Sequence, residues 1–313
     1  MSSFFSIFVE VCLPILLLIG LGWGLDRIFD LDLKSLVKLN IYLFVPAFIL
    51  VKLSTSVLEA EIGLLVIGFT LIIILTMAAL SWLTCRIQKQ DLPTQASLQL
   101  STMFYNSGNW AIPLMALAFS ELGPVVQLFV LTTMNFSGFT LGVFLANAGN
   151  ESRRGWFVPV LKQPSVYAVI LALTLRGFGN PLTEVTPIWV PLEYLADGLI
   201  PLALVTLGVQ LSKTRPPRPQ GNLIWALVIR LIGGPATAIA LTWLFQLSGE
   251  MAAILIVGAA SPSAVNTALL AHEFKADSRF AAAAVLYSTL LASIVVTLLL
   301  ALLRAGVVPW AAH

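Results

Sequence analysis

Tyr105-Asn106-Ser107-Gly108-Asn109-Trp110-Ala111-Ile112-Pro113 interrupts an apolar stretch that runs from residue 94 to residue 121. Two Asn, a Ser, a Gly and a Pro inside such a stretch resist a regular helix. Pro113 has no N–H, and its ring blocks the carbonyl four residues earlier, that of Asn109. The helix is expected to break here. In hydrocarbon, backbone groups freed by a break are tolerated only where they are buried in protein or line a watery cavity. A second string of the same character, Gly258-Ala259-Ala260-Ser261-Pro262-Ser263-Ala264-Val265-Asn266-Thr267, lies further on, and Ser261 stands 155 residues after Asn106.

The chain around these strings is built for lipid. Of 313 residues, 58% are hydrophobic and 10% charged, where soluble domains carry about 25% charged residues. Mean hydropathy is +0.95. A hydrocarbon core roughly 30 Å thick requires about 20 apolar residues per helix. Apolar runs separated by charged or Pro/Gly-rich punctuation predict ten helices, at 5–26, 34–54, 61–86, 94–121, 124–147, 157–178, 190–211, 222–246, 250–272 and 278–303. The broken stretches are the fourth and ninth. Met1-Ser2-Ser3 carries no basic residue ahead of the first run, so that run is expected to remain as a spanning helix and not to be removed as a leader. Cys12 and Cys85 sit in separate apolar runs and read as small hydrophobic fillers.

Charge placement predicts orientation, because basic residues near helix ends resist translocation. The odd-numbered connections hold 13 of the 17 Lys and Arg, among them Arg27, Lys34, Arg86, Arg153, Arg154, Lys213 and Lys275. The opposite face holds three, Lys52, Arg176 and Arg304. The odd connections are therefore expected to be cytoplasmic, with both termini on the non-cytoplasmic side of a bacterial inner membrane. A net charge of +2 and the lack of a long basic run give no reason to expect nucleic acid as a partner.

Folding the chain at its middle reveals an echo. Val45-Pro46 and the apolar run to Leu53-Ser54 return as Ile200-Pro201 and the run to Leu211-Ser212, at the same offset of 155. Val130-Leu131-Thr132-Thr133 returns as Val285-Leu286-Tyr287-Ser288. Five helices per half is an odd number, so the second half, 151–313, enters the membrane from the side opposite to the first, 1–150. An all-α polytopic protein with two inverted repeats is the expected architecture, and the matched breaks are the expected site.

A broken helix offers free N–H groups and a positive dipole end to an anion, and free carbonyls to a cation. Two of them crossing at mid-membrane would make a small site of both polarities, with the Asn106 and Asn266 amides as donors or acceptors. The plainer alternative is that Asn and Ser glue helices together and that prolines merely kink them. Three ionisable residues lie within spanning segments and are candidates on that ground. Glu10 and Asp197, about two turns from the outer face, read as cation or proton sites or as solvated caps. Arg230, within the eighth helix, reads as a counter-charge for an anion or as a residue snorkelling to the cytoplasmic surface.

Asn106-Ser107-Gly108 with Ile112-Pro113-Leu114, Pro262-Ser263-Ala264 with Asn266, Ala271 and Asp277, and Ile200-Pro201-Leu202-Ala203-Leu204 with Gly208 and Leu211 resemble the auxin efflux carrier family over essentially the whole chain. Bacterial members of that family include carriers for malonate and malate. Ala111 departs from its usual Gly, and Asn109 stands where an apolar residue is common. The resemblance implies ten helices in a five-plus-five inverted repeat, of the kind seen in sodium/proton antiporters and bile-acid symporters, with helices four and nine unwound and crossing. It implies a transport body of helices 3–5 and 8–10 moving against a scaffold of helices 1, 2, 6 and 7, in a homodimer. By position Asn106 matches the family's substrate-contacting Asn, and Pro113, Pro262 and Asn266 match its crossover residues; with the polar residues of the two breaks, the expected substrate site is Asn106, Ser107, Gly108, Asn109, Pro113, Ser261, Pro262 and Asn266. The expected activity is secondary transport of a small organic anion by alternating access.

Other classes find little material. Two His, with no H-E-x-x-H, G-x-S-x-G or CxxC spacing, argue against an enzyme, a metal site or a cofactor, and no P-loop argues for an ATP-driven pump. A membrane component that binds a solute without moving it is the remaining alternative.

Overall fold

Charged or Pro/Gly punctuation ends each apolar run, and between these points the chain is helical. The computed structural model describes residues 4–56, 60–146, 163–214, 221–273 and 276–312. The helices are α1 (Phe4–Phe29), α2 (Leu33–Ser54) and α3 (Glu61–Gln88), α4 (Leu92–Met103), α5 (Ala111–Ala118), α6 (Leu122–Leu145) and α7 (Pro164–Gly177). They continue as α8 (Thr186–Lys213), α9 (Gly221–Leu244), α10 (Gly249–Ala259), α11 (Val265–Glu273) and α12 (Ser278–Arg304). Seven of them are long and apolar enough to cross a membrane: α1, α2, α3, α6, α8, α9 and α12. Among the described residues there is no strand, only one isolated bridge, between Tyr105 and Ser263. The chain is a multi-pass membrane protein. Arg153, Arg154, Lys162, Arg215, Arg218 and Lys275, which enter the charge count, lie outside the described residues, as does the predicted start of the sixth helix at 157.

The surface confirms lipid as the solvent. Leu17, Leu21, Leu75, Ile170 and Leu298 are all more than half exposed, an arrangement a soluble protein could not sustain. Exposed Trp23, Trp82, Trp225 and Trp243 stand near helix ends, where amphipathic rings favour the membrane–water boundary. Arg27 lies 5.1 Å from the Trp23 ring and Arg86 lies 5.2 Å from the Trp82 ring, cations from basic connections resting on that belt.

Packing is set by small residues and by prolines. α1 lies along α8 because Gly22 and Gly208 let the backbones touch: a Cβ on Gly208 would fall on the Ile19 carbonyl oxygen, and one on Gly22 on that of Val205. Lys213 closes the same helix pair at its end, reaching Asp26 at 3.0 Å and Asp30 at 2.8 Å. α2, α7 and α8 share an apolar seam of Phe48, Ile49, Ala168, Ala172, Trp189 and Leu199. Most of α3, α4, α6, α9, α10 and α12 packs into a second, larger core. Asp32 opens α2 by accepting from the Lys34 and Ser35 N–H groups; its carboxyl is held below the usual Asp range, chiefly by the Ser35 hydroxyl.

Four helices widen into π-helical turns, at Phe8–Cys12, Asn40–Phe44, Gly138–Gly142 and Ile229–Gly233. Three of these hold the residue four before a proline, namely Glu10 before Pro14, Tyr42 before Pro46 and Leu231 before Pro235. Each proline removes a donor and presses on that carbonyl, and one extra residue in the turn relieves the clash.

Candidate functional site

Both expected breaks are present. The fourth predicted helix is interrupted between Met103 and Ala111, the ninth between Ala259 and Val265. The first break begins upstream of where the proline rule places it. Pro113 is the third residue of α5, where its missing N–H belongs to a turn that needs no donor. The Asn109 carbonyl is thus not what ends a helix. The interruption starts at Phe104, whose backbone turns extended after donating to Leu100.

The two breaks satisfy one another. The Asn106 N–H donates to the Pro262 carbonyl at 2.7 Å and the Ala264 N–H to the Phe104 carbonyl at 2.8 Å, an antiparallel rung centred on Tyr105 and Ser263. The Ser263 hydroxyl donates to the Ser101 carbonyl at 2.7 Å, while its N–H donates to the Ser288 hydroxyl of α12 at 2.9 Å. Gln127 of α6 donates to the Ser107 carbonyl at 3.0 Å. Unwound backbone is thereby kept at depth with its polar groups paired, as the apolar surroundings require.

One wall of a cavity of about 300 Å³ is formed by these breaks. Asn106, Ser107, Gly108, Asn109 and Asn266 all line it. Asn106 is buried; its side-chain oxygen accepts from the Asn109 N–H at 3.1 Å, while its amide nitrogen has no partner. A buried donor without a partner, at a cavity wall, can donate to an atom inside the cavity. Ser261, Pro262 and Pro113 stand behind this wall and do not line it. Pro262 contributes its carbonyl to the rung, and the buried Ser261 hydroxyl has no partner.

The remaining candidates lie elsewhere. Glu10 and Asp197 are exposed on the outside of α1 and α8, away from the cavity. Arg230 neither snorkels nor lines the cavity: it is wholly buried and donates to the Thr102 and Ala259 carbonyls. The reason is packing, since its widened turn in α9 faces the ends of α4 and α10.

Sequence reading missed the opposite wall. Asn40, Asn135, Gln163 and Gln210 bring four more amides to the cavity, and Glu273 brings a carboxylate. Asn40 donates to the Asn109 side-chain oxygen at 3.0 Å, linking α2 to the first break. A search for polar residues of any kind inside apolar runs, rather than ionisable ones only, would have flagged Asn40 and Gln210. Two of the π-helical turns deliver cavity residues, Asn40 and Gly138, and a third delivers Arg230.

From the breaks the cavity runs toward the start of α2, the start of α7, the end of α8 and the end of α11, the side carrying the basic connections. At the other side polar contacts link α2 and α10 to the turn between α5 and α6. Lys52 at the end of α2 meets Glu121, between α5 and α6, at 3.1 Å. Ser120 donates its N–H and hydroxyl to Glu250 of α10 at 2.8 and 2.9 Å.

Comparison with known proteins fits this arrangement. A family profile described as "Membrane transport protein" matches residues 7–155 and 156–300. An uncharacterized transporter of Methanocaldococcus jannaschii is 25% identical over 303 residues, covering 93% of this chain and 97% of that protein. An uncharacterized transporter of Methanothermobacter thermautotrophicus is 24% identical, over 90% of this chain and 94% of that one. A Rhizobium meliloti protein named "Putative malonate transporter" is 26% identical, over 95% and 96%. With its broken helices paired beside a polar cavity and both halves matched, the chain belongs to the membrane transport protein family, that of the auxin efflux carriers it resembles.

Proposed function

We propose that this protein is a secondary carrier that moves a small organic anion, a carboxylate, across the inner membrane by alternating access. The observation that carries the reading is the cavity at the paired breaks, where the unpartnered Asn106 amide stands with Asn109 and Asn266. Amides and the N-terminal ends of α5 and α11 can hold a carboxylate without a buried basic residue beside it. The name of the Rhizobium meliloti relative supports a carboxylate as cargo.

In this reading α4–α5 and α10–α11 are the fourth and ninth of ten helices in a five-plus-five inverted repeat. Support comes from their equal rank in the two halves and from the antiparallel rung between them, as opposed chain directions require. Helices α1, α2, α7 and α8 form the scaffold, the site for a homodimer contact, and the rest form the moving body. The apolar seam shared by α2, α7 and α8 supports grouping those three, and α1 joins them through its close approach to α8 at Gly22 and Gly208. The charge count supports an open end in the cytoplasm with both termini outside, and in that orientation this conformation faces inward.

Purified protein in liposomes loaded with malonate should take up labelled malonate by counterflow, and Asn106→Ala or Asn266→Ala should abolish it while leaving thermal unfolding close to wild type. Full activity in both variants would remove the site assignment. Saturable binding of organic acids with no counterflow of any would favour a solute-binding membrane component over a carrier.

A further inference from the structure

Arg230 has a chemistry that this transport cycle leaves unused. It sits in the π-helical turn Ile229–Gly233 of α9, is wholly buried, and among the described residues pairs with no carboxylate. Its two terminal nitrogens go to carbonyls. Nη1 donates to Thr102 at 2.7 Å and Nη2 to Ala259 at 2.5 Å. Thr102 is the penultimate residue of α4 and Ala259 the last of α10, so both acceptors lie in a final helical turn, where carbonyls lack intrahelical donors.

Each half-helix end carries roughly half a negative charge. Two such ends converging on one point sum to about one, the charge of a single guanidinium. The Tyr105 ring, from the first break, presents its face 5.0 Å from Cζ and adds a third electron-rich surface. Gly234 keeps the place open, since a Cβ there would collide with Nη2 and the Ala259 carbonyl. The planar fork of arginine can bridge two carbonyls at once; the point charge of lysine cannot do so with the same geometry.

In carriers made from broken helices, half-helix C-termini and unwound carbonyls are where a coupling cation is held. We propose that Arg230 is a resident cation in that position, fastening the ends of α4 and α10 and neutralising both, so that the crossover needs no alkali ion to assemble. The consequence for coupling rests on the carrier reading. The electrostatic role does not, and it is testable without any transported solute.

The test is thermal unfolding of the purified full-length protein in nanodiscs, in chloride salts of Na⁺, K⁺, choline and guanidinium at equal, low-millimolar concentration. Wild type should unfold at the same temperature in Na⁺, K⁺ and choline; a saturable gain specific to Na⁺ or K⁺ would overturn the proposal. Arg230→Ala should lose on the order of 10 °C in Tm. It should recover a large part of the loss in guanidinium, with urea as the uncharged control. Arg230→Gln keeps a polar N–H donor, on a shorter side chain, but no charge, and serves as well if the alanine variant does not fold. It should be less stable than wild type and gain from an added cation. Wild-type stability in Arg230→Gln, or no cation response in either variant, would show that hydrogen bonding alone holds the crossover and would overturn the proposal. Malonate counterflow measured separately with and without Na⁺ distinguishes the two readings. No counterflow in any salt counts against the carrier, whereas Na⁺-dependent counterflow counts against the resident cation.

Discussion

The Asn40 side chain donates to the Asn109 side-chain oxygen at 3.0 Å, and this bond joins the body of α2, α7 and α8 to the first helix break across the mouth of the cavity. On the alternating-access reading proposed above, it is a contact that the moving body would break in each cycle. A neutral hydrogen bond of this kind contributes about 0.5–1.5 kcal/mol net. Asn40→Ala and Asn109→Ala should each change the apparent KM for malonate uptake several-fold, by up to about tenfold. The double variant should match a single one rather than their product, because the two groups share one interaction. Multiplying effects would show that the bond does not couple the two bodies.

The opposite end offers a second handle on the conformational equilibrium. Lys52 and Glu121 meet at 3.1 Å with Glu121 largely exposed, so the pair belongs to the class worth about 0–1 kcal/mol. Lys52→Ala should shift the population toward the outward-open state by no more than about fivefold, with the shift fading in high salt. Labelling of Ile112→Cys by a membrane-impermeant maleimide from the non-cytoplasmic side, in a background lacking Cys12 and Cys85, reads this directly. An unchanged labelling rate would remove the pair as an outer latch.

Ser288→Ala should be costly for a reason local to the second break. The Ser263 N–H would lose its acceptor inside a fully buried site, a penalty of about 1–3 kcal/mol. Thermal unfolding should show a Tm several degrees lower. Thr289→Ala, one position on, removes only a bond back to the Val285 carbonyl of the same helix and should cost less.

Gly208→Ala tests the scaffold seam. Its Cβ would land on the Ile19 carbonyl, forcing α1 and α8 apart at a cost of about 1–3 kcal/mol or more. Gly20→Ala, on α1 with no atom within 4 Å of the added carbon, is the matched control and should be neutral within about 0.5 kcal/mol. Equal Tm values for the two variants would contradict the close approach.

Apolar run length was enough to find the seven helices that are long and apolar enough to cross a membrane, because crossing hydrocarbon leaves the chain few choices and each run announces itself by composition. The breaks were legible for the same reason: Asn106, Gly108, Ser261 and Pro262 are polar or helix-breaking residues inside apolar runs, which local composition alone exposes. Their exact onset was not, since Pro113 is equally at home breaking a helix or opening one, and only the bonds of Asn106 and Phe104 to the other break decide between these.

By itself, then, the sequence determined that this chain lives in a membrane and which two of its apolar runs are interrupted. Tertiary structure decided which groups the interruptions face. The amides of Asn40, Gln163 and Gln210 come to the cavity from segments distant in the chain, and Glu10 and Asp197 are turned away from it. Arg230 is drawn from the surface to the carbonyls of Thr102 and Ala259. The physical reason is that helix formation in lipid follows from local composition. A buried polar group's partner, in contrast, is chosen by packing between segments more than a hundred residues apart, as for Arg230 and Thr102, 128 positions apart in the chain.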